Sequence, residues 1–310
     1  VIIEDAVQPA KADQPLRLLM CITGQKSRLE VKSKLENFVR HNTAKGHIVD
    51  VVAILDPKQA RFVNTPEREQ VHHDYLRTLE GHANSIHHVK FEQPEDPEAP
   101  AWYVDILKNG MKPWVDATQR VKNHVRQFSA MEKCYDHMLD LEFENGQRYD
   151  EVFRVRDDSF LMAPVNPLHE VPEMERPDVL TAHCDNWYGL NDKGALMKRS
   201  AAETYFRGLL KALFLEPVKK SVTNPETITF QILKNAGLKI HQDGERMMVA
   251  PIRGNVDDGC LHMIYQSCWQ ELFNATKYTL SEEHPWCEND LKTQHYHHQD
   301  RYVHWDRLQH

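Results

Sequence analysis

The sequence predicts an α/β fold built on a mixed, mainly parallel sheet flanked by helices, and three observations predict it. Two apolar runs, LRLLMCIT (16–23) and IVDVVAIL (48–55), lack the in-out alternation of a half-solvated strand and read as strands buried on both faces. The segment between them places Leu29, Leu35, Phe38 and Val39 at near-helical spacing and closes at Gly46, which completes a βαβ unit. A further strand, YDEVFRVR (149–156), follows a long amphipathic helix.

Taken in order, residues 1–15 are polar, carry two prolines and read as a stem or flexible arm. The fold is expected to occupy 16–254, with 255–310 as a less regular C-terminal extension packed on it. Gly24-Gln25-Lys26 turns the first strand into its helix, and Asp56-Pro57 turns the chain after the second. Residues 56–113 read as short helices and loops, with EQPEDPEAP as a surface excursion. The pattern Val121, Val125, Phe128, Cys134, Tyr135, Met138 and Leu141 predicts a helix over 115–144, stopped by Asn145-Gly146. A short strand at 179–182, helices at 198–214 and 226–236, and a strand at 238–241 complete the regular part. No internal repeat and no membrane-length apolar run is present.

A chain that is 41% hydrophobic and 27% charged suits neither a disordered nor a fibrous class. Its net charge of -8 disfavours nucleic acid or anionic lipid as a partner, yet leaves room for a local basic pocket that takes one diphosphate. The six cysteines form no CxxC pair, which argues against structural zinc, while their even number permits disulfides. With the sequon Asn274-Ala275-Thr276 they point to the secretory pathway, the cytoplasm being the alternative. The first residue is Val1, so a longer precursor is expected, touching a membrane only through an N-terminal anchor outside this chain. There is no GxSxG, and serine or cysteine nucleophile chemistry has no support.

The segment most informative about chemistry is Arg154-Val155-Arg156-Asp157-Asp158-Ser159-Phe160. Adjacent carboxylates at the end of a buried strand face the crevice where open α/β sheets bind ligands. Hard oxygen ligands suit Mn²⁺ or Mg²⁺, with Asp157 and Asp158 as candidate metal ligands and Asp158 favoured. Such an ion, or Arg154 and Arg156, would offset charge building on a departing phosphate oxygen. As a bare pattern the same residues also fit an Arg-Asp turn network.

YDEVFRVRDDSFLMAPV after a long helix resembles the acidic-motif region of a loosely defined group of GT-A-type glycosyltransferases from plants, algae and protists. The stretch 16–55 is similar to that group's opening strand, Gly-Gln turn, helix and second strand. Trp187-Tyr188-Gly189-Leu190-Asn191-Asp192 is similar to its Gly-x-Asn-Asp segment, and Asn224-Pro225-Glu226 to its late helix start. The four matches span about two thirds of the chain, and here the acidic pair is Asp-Asp where an Asp-x-Asp is usual. The resemblance implies a nucleotide-sugar donor, a glycan or protein hydroxyl acceptor, metal assistance and a Golgi or secretory lumen. It places Gly24, Gln25, Lys26, Arg28, Arg154, Arg156 and Asp157 at the donor, and Trp187, Asn191 and Glu226 at the acceptor. Asp192 would be the base that takes the attacking hydroxyl's proton. Each of these has a plainer reading: a tight turn at Gly24, core packing of Trp187 and Tyr188, a helix cap at Asn191-Asp192 before 195–200, a first-turn carboxylate at Glu226.

One of the C-terminal histidines, His295, His297, His298, His304 or His310, would complete the metal site on the same resemblance, although a solvated tail accounts for any one of them. A divalent-metal phosphohydrolase, or a non-catalytic carbohydrate-binding module, are the alternative functions.

Overall fold

The computed structural model describes residues 14–58, 76–77, 79–110, 116–184, 186–215, 224–254 and 261–263. The expected α/β sheet is present, with seven strands. β1 (Arg17–Gln25) lies between β2 (Ile48–Asp56) and β4 (Glu151–Arg156) and is parallel to both; β3 (Ser85–Lys90) extends the parallel set beyond β2. Beyond β4 come β7 (Gly194–Lys198), antiparallel to it, then β6 (Val179–Thr181) and β8 (Ile240–Gln242). A second, three-stranded antiparallel sheet joins β5 (Ser159–Leu161), β9 (Val249–Gly254) and β10 (Leu261–Met263).

The sheet core is two-sided because alternate strand residues point to opposite faces. Leu18, Met20 and Ile22 of β1 pack on one face with Leu35, Phe38 and Val39 of the helical segment 32–44, here α1, and with Phe160 and Val249 of the small sheet. Leu19 and Cys21 pack on the other against α2 (Ala101–Gly110), α3 (Ala117–Asn145) and α4 (Arg199–Phe214), the layer that α5 (Pro225–Asn235) completes. Asp116 caps α3 by accepting from the Gln119 N–H, and Gly146 ends it in a left-handed turn. Asn224 and Thr227 form a reciprocal capping box on α5. Buried Cys21 and Cys134 form a disulfide that ties α3 to the central strand, and Cys184 is also disulfide-bonded. No helix among the described residues is long and apolar enough to cross a membrane.

The structure departs from expectation in four places. β3 lies where short helices and loops were expected: its SIHHVK sequence puts two histidines inside a half-exposed edge strand and so hides the apolar signal. β7 was not expected and overturns the plainer reading of Asn191-Asp192 as a cap before 195–200: GALMK completes the sheet beside β4, and the helix expected over 198–214 follows it at Arg199. β5 and β9 make a small sheet that no local pattern announced. The helix after β1 opens on a 3-10 turn, Lys26–Arg28, and contains a π turn, Leu35–Arg40.

Two buried groups fix the framework of β4. At its start, Glu151 accepts N–H bonds from Leu168 (2.7 Å) and His169 (2.8 Å). At its end, the fully buried Lys34 ammonium donates to Glu30 Oε2 (3.1 Å) and to the carbonyls of Glu30 (2.6 Å), Asp157 (3.4 Å) and Ser159 (2.5 Å). The turn between β4 and β5 is thereby held from beneath.

Burial pushes the Glu151 carboxyl from 4.5 up to about 7, outweighing its two backbone bonds. Between those values the folded state holds a proton that the unfolded state has lost, so this group's contribution to stability is present below pH 4.5 and lost as pH rises through 7. Urea unfolding should show wild-type stability falling by about 3 kcal/mol relative to Glu151→Gln between pH 4.5 and pH 8; a constant difference would contradict the assigned burial. Lys34→Met leaves Glu30 buried without its cation and should cost about 3 to 5 kcal/mol in the same assay, whereas under 1 kcal/mol would mean that water reaches the pair.

Candidate active site

The C-terminal ends of β1, β2 and β4 open onto a cleft of about 330 Å³. It lies where the chain, having run outward from β1 to β3, crosses back to place β4 on the other side, the usual position of a ligand in an open parallel sheet. Thr23, Gly24, Gln25 and Arg28 form one wall, Arg154, Arg156 and Asp157 the floor, and Asn123, Arg126, Gln127 and Ala130 of α3 the other wall; Asp56 and Gln93 close the end.

The floor follows from the pleat of β4. Val152, Arg154 and Arg156 share the face toward α3, where Val152 packs in the core, while Phe153 and Val155 face the opposite layer. Arg154 is therefore driven inside and is 1% exposed. Its Nη1 donates to the Asp192 carbonyl, but Nε and Nη2 make no hydrogen bond. Burying a guanidinium with two of its nitrogens unbonded is costly, and a guanidinium pairs best with an anion.

Asp157 and Asp158 are both 1% exposed, in a turn tied to four neighbours. The Asp157 N–H donates to the Thr23 carbonyl (3.0 Å), its carbonyl accepts from the Glu30 N–H (3.1 Å), the Arg156 N–H donates to the Lys193 carbonyl (3.0 Å), and the Asp158 carbonyl accepts from the Ile252 N–H (2.8 Å). Arg28 bridges the two side chains, Nη2 to Asp157 Oδ2 and Nη1 to Asp158 Oδ2, each at 3.1 Å. Arg156 grips Asp158 with two donors, Nε to Oδ1 (2.8 Å) and Nη2 to Oδ2 (3.0 Å). Asp157 Oδ2 also accepts the Gln25 N–H at 3.0 Å. Gly24 is required here: with φ at +146°, a Cβ on it would lie 2.0 Å from Asp157 Oδ1.

Asp192 extends the network. Its carboxylate accepts from Arg156 Nη1, Lys193 Nζ and Gln127 Nε2, the last at 3.2 Å. Burial alone would raise its pKa, but Arg156, Lys193 and Arg154 hold it well below the carboxylate range. Arg28 and Arg156 are raised despite burial by the same carboxylates. Arg28, Arg154, Arg156 and Lys193 stand against Asp157, Asp158 and Asp192, four positive charges to three negative. This connected set carries one net positive charge.

Of the residues expected at a donor, Gly24, Gln25, Arg28, Arg154, Arg156 and Asp157 come together at the cleft; Lys26 is not part of its lining, and its charge acts instead on His88. The Gln25 N–H, expected to be free for phosphate, is already taken by Asp157. Trp187, Asn191 and Glu226 lie outside the cleft lining. Asn191 makes a turn, its Oδ1 accepting the Lys193 N–H (2.7 Å), and so caps no helix. Trp187 and Tyr188 are exposed, not core, and both adopt positive φ (46° and 67°). Asn224 Nδ2 bonds the Trp187 carbonyl (3.0 Å), Leu190 N–H bonds the Glu226 carbonyl (3.1 Å), and a Cβ on Gly189 would lie 2.1 Å from that carbonyl group, so α5 fixes this loop. The C-terminal histidines and the sequon lie outside the described residues.

Sequence reasoning missed Asp56, Gln93, Asn123, Arg126, Gln127 and Lys193. The available signal was Asn123, Arg126 and Gln127 at i, i+3 and i+4, a polar stripe beside the apolar one on α3 that Ala130 at i+7 continues with a small side chain.

Three of the four oxygens of Asp157 and Asp158 accept N–H donors, and Arg28 occupies the position between the carboxylates that a bridging divalent ion would take. The fourth, Asp157 Oδ1, has no hydrogen bond but lies against Gly24. Among the described residues no three Asp, Glu, His or Cys side chains gather as a metal site. As arranged, the pair holds arginines and does not fit such an ion.

No family model matches the chain, and no curated protein matches it. Among solved structures, the apo form of glycosyltransferase GlyE from Streptococcus pneumoniae TIGR4 is similar over 74% of this chain and 46% of that chain, at 10% identity and a TM-score of 0.36. A second GlyE structure gives 72%, 43%, 10% and 0.32. A nucleoside-diphosphate-sugar pyrophosphorylase from Vibrio cholerae RC9 is similar over 73% of this chain and 90% of that one, at 11% identity and a TM-score of 0.36. The chain thus spans less than half the length of the GlyE chains, and at such low scores the cleft's chemistry has to be read from its own residues.

Proposed function

We propose that the chain is a nucleotide-sugar-dependent enzyme, and specifically a glycosyltransferase that moves a sugar from a nucleoside-diphosphate donor to a hydroxyl acceptor. The observation that carries this reading is buried Arg154, which lines the cleft at the strand ends with Nε and Nη2 making no hydrogen bond, beside Arg28 and Arg156. Such a set fits the paired phosphates of a diphosphate bridge. The amides of Gln93, Asn123 and Gln127 offer neutral hydrogen-bonding groups for the rest of the nucleotide.

In the transfer, the acceptor oxygen bonds to the anomeric carbon as the carbon–oxygen bond to the diphosphate breaks, and the electron pair stays on the leaving oxygen. Arg28, Arg154 and Arg156 are preorganised for that charge, and the acceptor proton passes to a base. Asp192 is the candidate base on the β7 side. Held by Arg156 and Lys193 it is a weak proton acceptor. Donor phosphates that draw Arg156 toward themselves would release it and raise its pKa toward the usual range. Exposed Trp187 and Tyr188, with Asn191 and Glu226 behind them, make the acceptor side, where aromatic faces suit a sugar ring. The buried Cys21–Cys134 bridge supports a secretory-pathway lumen, where disulfides persist.

Arg154→Met tests the central assignment. It removes a buried, incompletely paired charge, so thermal denaturation should show a melting temperature unchanged or raised, while calorimetric titration with UDP or GDP should show affinity reduced at least about tenfold. Unchanged nucleotide binding would sink the assignment.

A further inference from the structure

We infer that Arg28, acting with Arg154 and Arg156, supplies the positive charge that a departing diphosphate requires, and that Asp157 and Asp158 serve to hold Arg28 and Arg156 in place with no divalent cation between them. This rests on the donor-site reading above and names how that site meets its anion.

The geometry is that of a cation clamp. Both ends of the Arg28 guanidinium are anchored, one to each carboxylate at 3.1 Å, while its Nε makes no hydrogen bond and its side chain remains 23% exposed at the wall of the cleft. Arg156 is held across Asp158 by two donors and turns its third nitrogen to Asp192. Asp157 and Asp158 therefore resemble the carboxylates that orient an arginine for oxyanion recognition more than the open oxygens a hard cation collects. A dication placed between them must displace the Arg28 bridge and then sit beside Arg156 on the same carboxylate, like charges in one buried site.

Gly24 and Lys34 fit the same assignment. Gly24 lets Asp157 lie flat against the end of β1 with Oδ2 turned toward Arg28 and the Gln25 N–H. The Lys34 bonds to the carbonyls of Asp157 and Ser159 hold the turn from below, on the side away from Arg28. The clamp is complete without an added ion, and its one unmatched positive charge faces the cleft.

The test is calorimetric titration of the full chain with UDP and with GDP, in EDTA and in Mn²⁺. Binding of one nucleotide with dissociation constants agreeing within about threefold in the two buffers is expected. Arg28→Gln should weaken it at least about tenfold in EDTA, with Arg28→Lys retaining part of the affinity as a point charge without the fork, and Arg28→Lys alone carries the test if Arg28→Gln fails to fold. Asp157→Asn distinguishes the two roles of the acid: loss of a charged holder of Arg28 should weaken binding by the same factor in EDTA and in Mn²⁺, whereas loss of a metal ligand would remove only the part of the binding that needs Mn²⁺. Binding seen only with Mn²⁺, and abolished by Asp157→Asn, would overturn the inference and leave the donor site standing. Failure of every nucleoside diphosphate to bind in either buffer would overturn the donor site, and the inference with it.

Discussion

The whole site depends on one constraint: two buried carboxylates and two half-buried guanidinium groups meet where β4 ends, and none of them can be there alone. Removing an ion from water costs several kcal/mol, and only close, hydrogen-bonded partners offset it. The Arg28 bridge to Asp157 and Asp158, and the two-pronged contact of Arg156 with Asp158, are those partners. From them follow the glycine at 24, which no side chain could replace without striking Asp157, and the buried ammonium of Lys34, which fastens the turn carrying both acids.

Much of this was legible in the chain because it depends on short-range regularities. Uninterrupted apolar runs marked β1 and β2, and the run YDEVFRVR marked β4 with the two acids at its end. What was not legible depends on partners remote in sequence. GALMK becomes β7 only because β4 lies beside it, and nothing local distinguishes it from the first turn of the helix that follows. Asn123, Arg126 and Gln127 look like the wet face of a long helix until the sheet end is placed opposite them. Cysteine spacing allowed bridges without choosing Cys21 and Cys134, which are 113 residues apart. Whether acids at a strand end would meet a metal or an arginine was equally hidden, since Arg28 reaches them from another element.

The two layers of the core divide the labour around the cleft. On one face α1 and the small sheet brace the acidic turn; on the other α3 forms a wall, bolted to β1 by the disulfide one turn beyond Ala130. The wall and the floor are thus fixed to the same central strand. The loop with Trp187 and Tyr188 is fixed differently, to the start of α5, where backbone bonds hold two aromatic residues in a left-handed conformation that costs roughly 1 to 3 kcal/mol at each.

That the arginines stand in position before any ligand arrives also bears on how a cycle would end. A pocket whose cations are largely in place before an anion arrives would keep much of the same grip on a spent nucleotide, so departure, and not bond breaking, would set the pace of turnover. The carboxylates would then acquire a second part: bound to Arg28 and Arg156 throughout, they would compete with a product anion for the same donors and weaken its hold. Ambient phosphate or sulfate would enter that competition too, and occupancy of the cleft would follow the anionic composition of the compartment as well as the supply of donor.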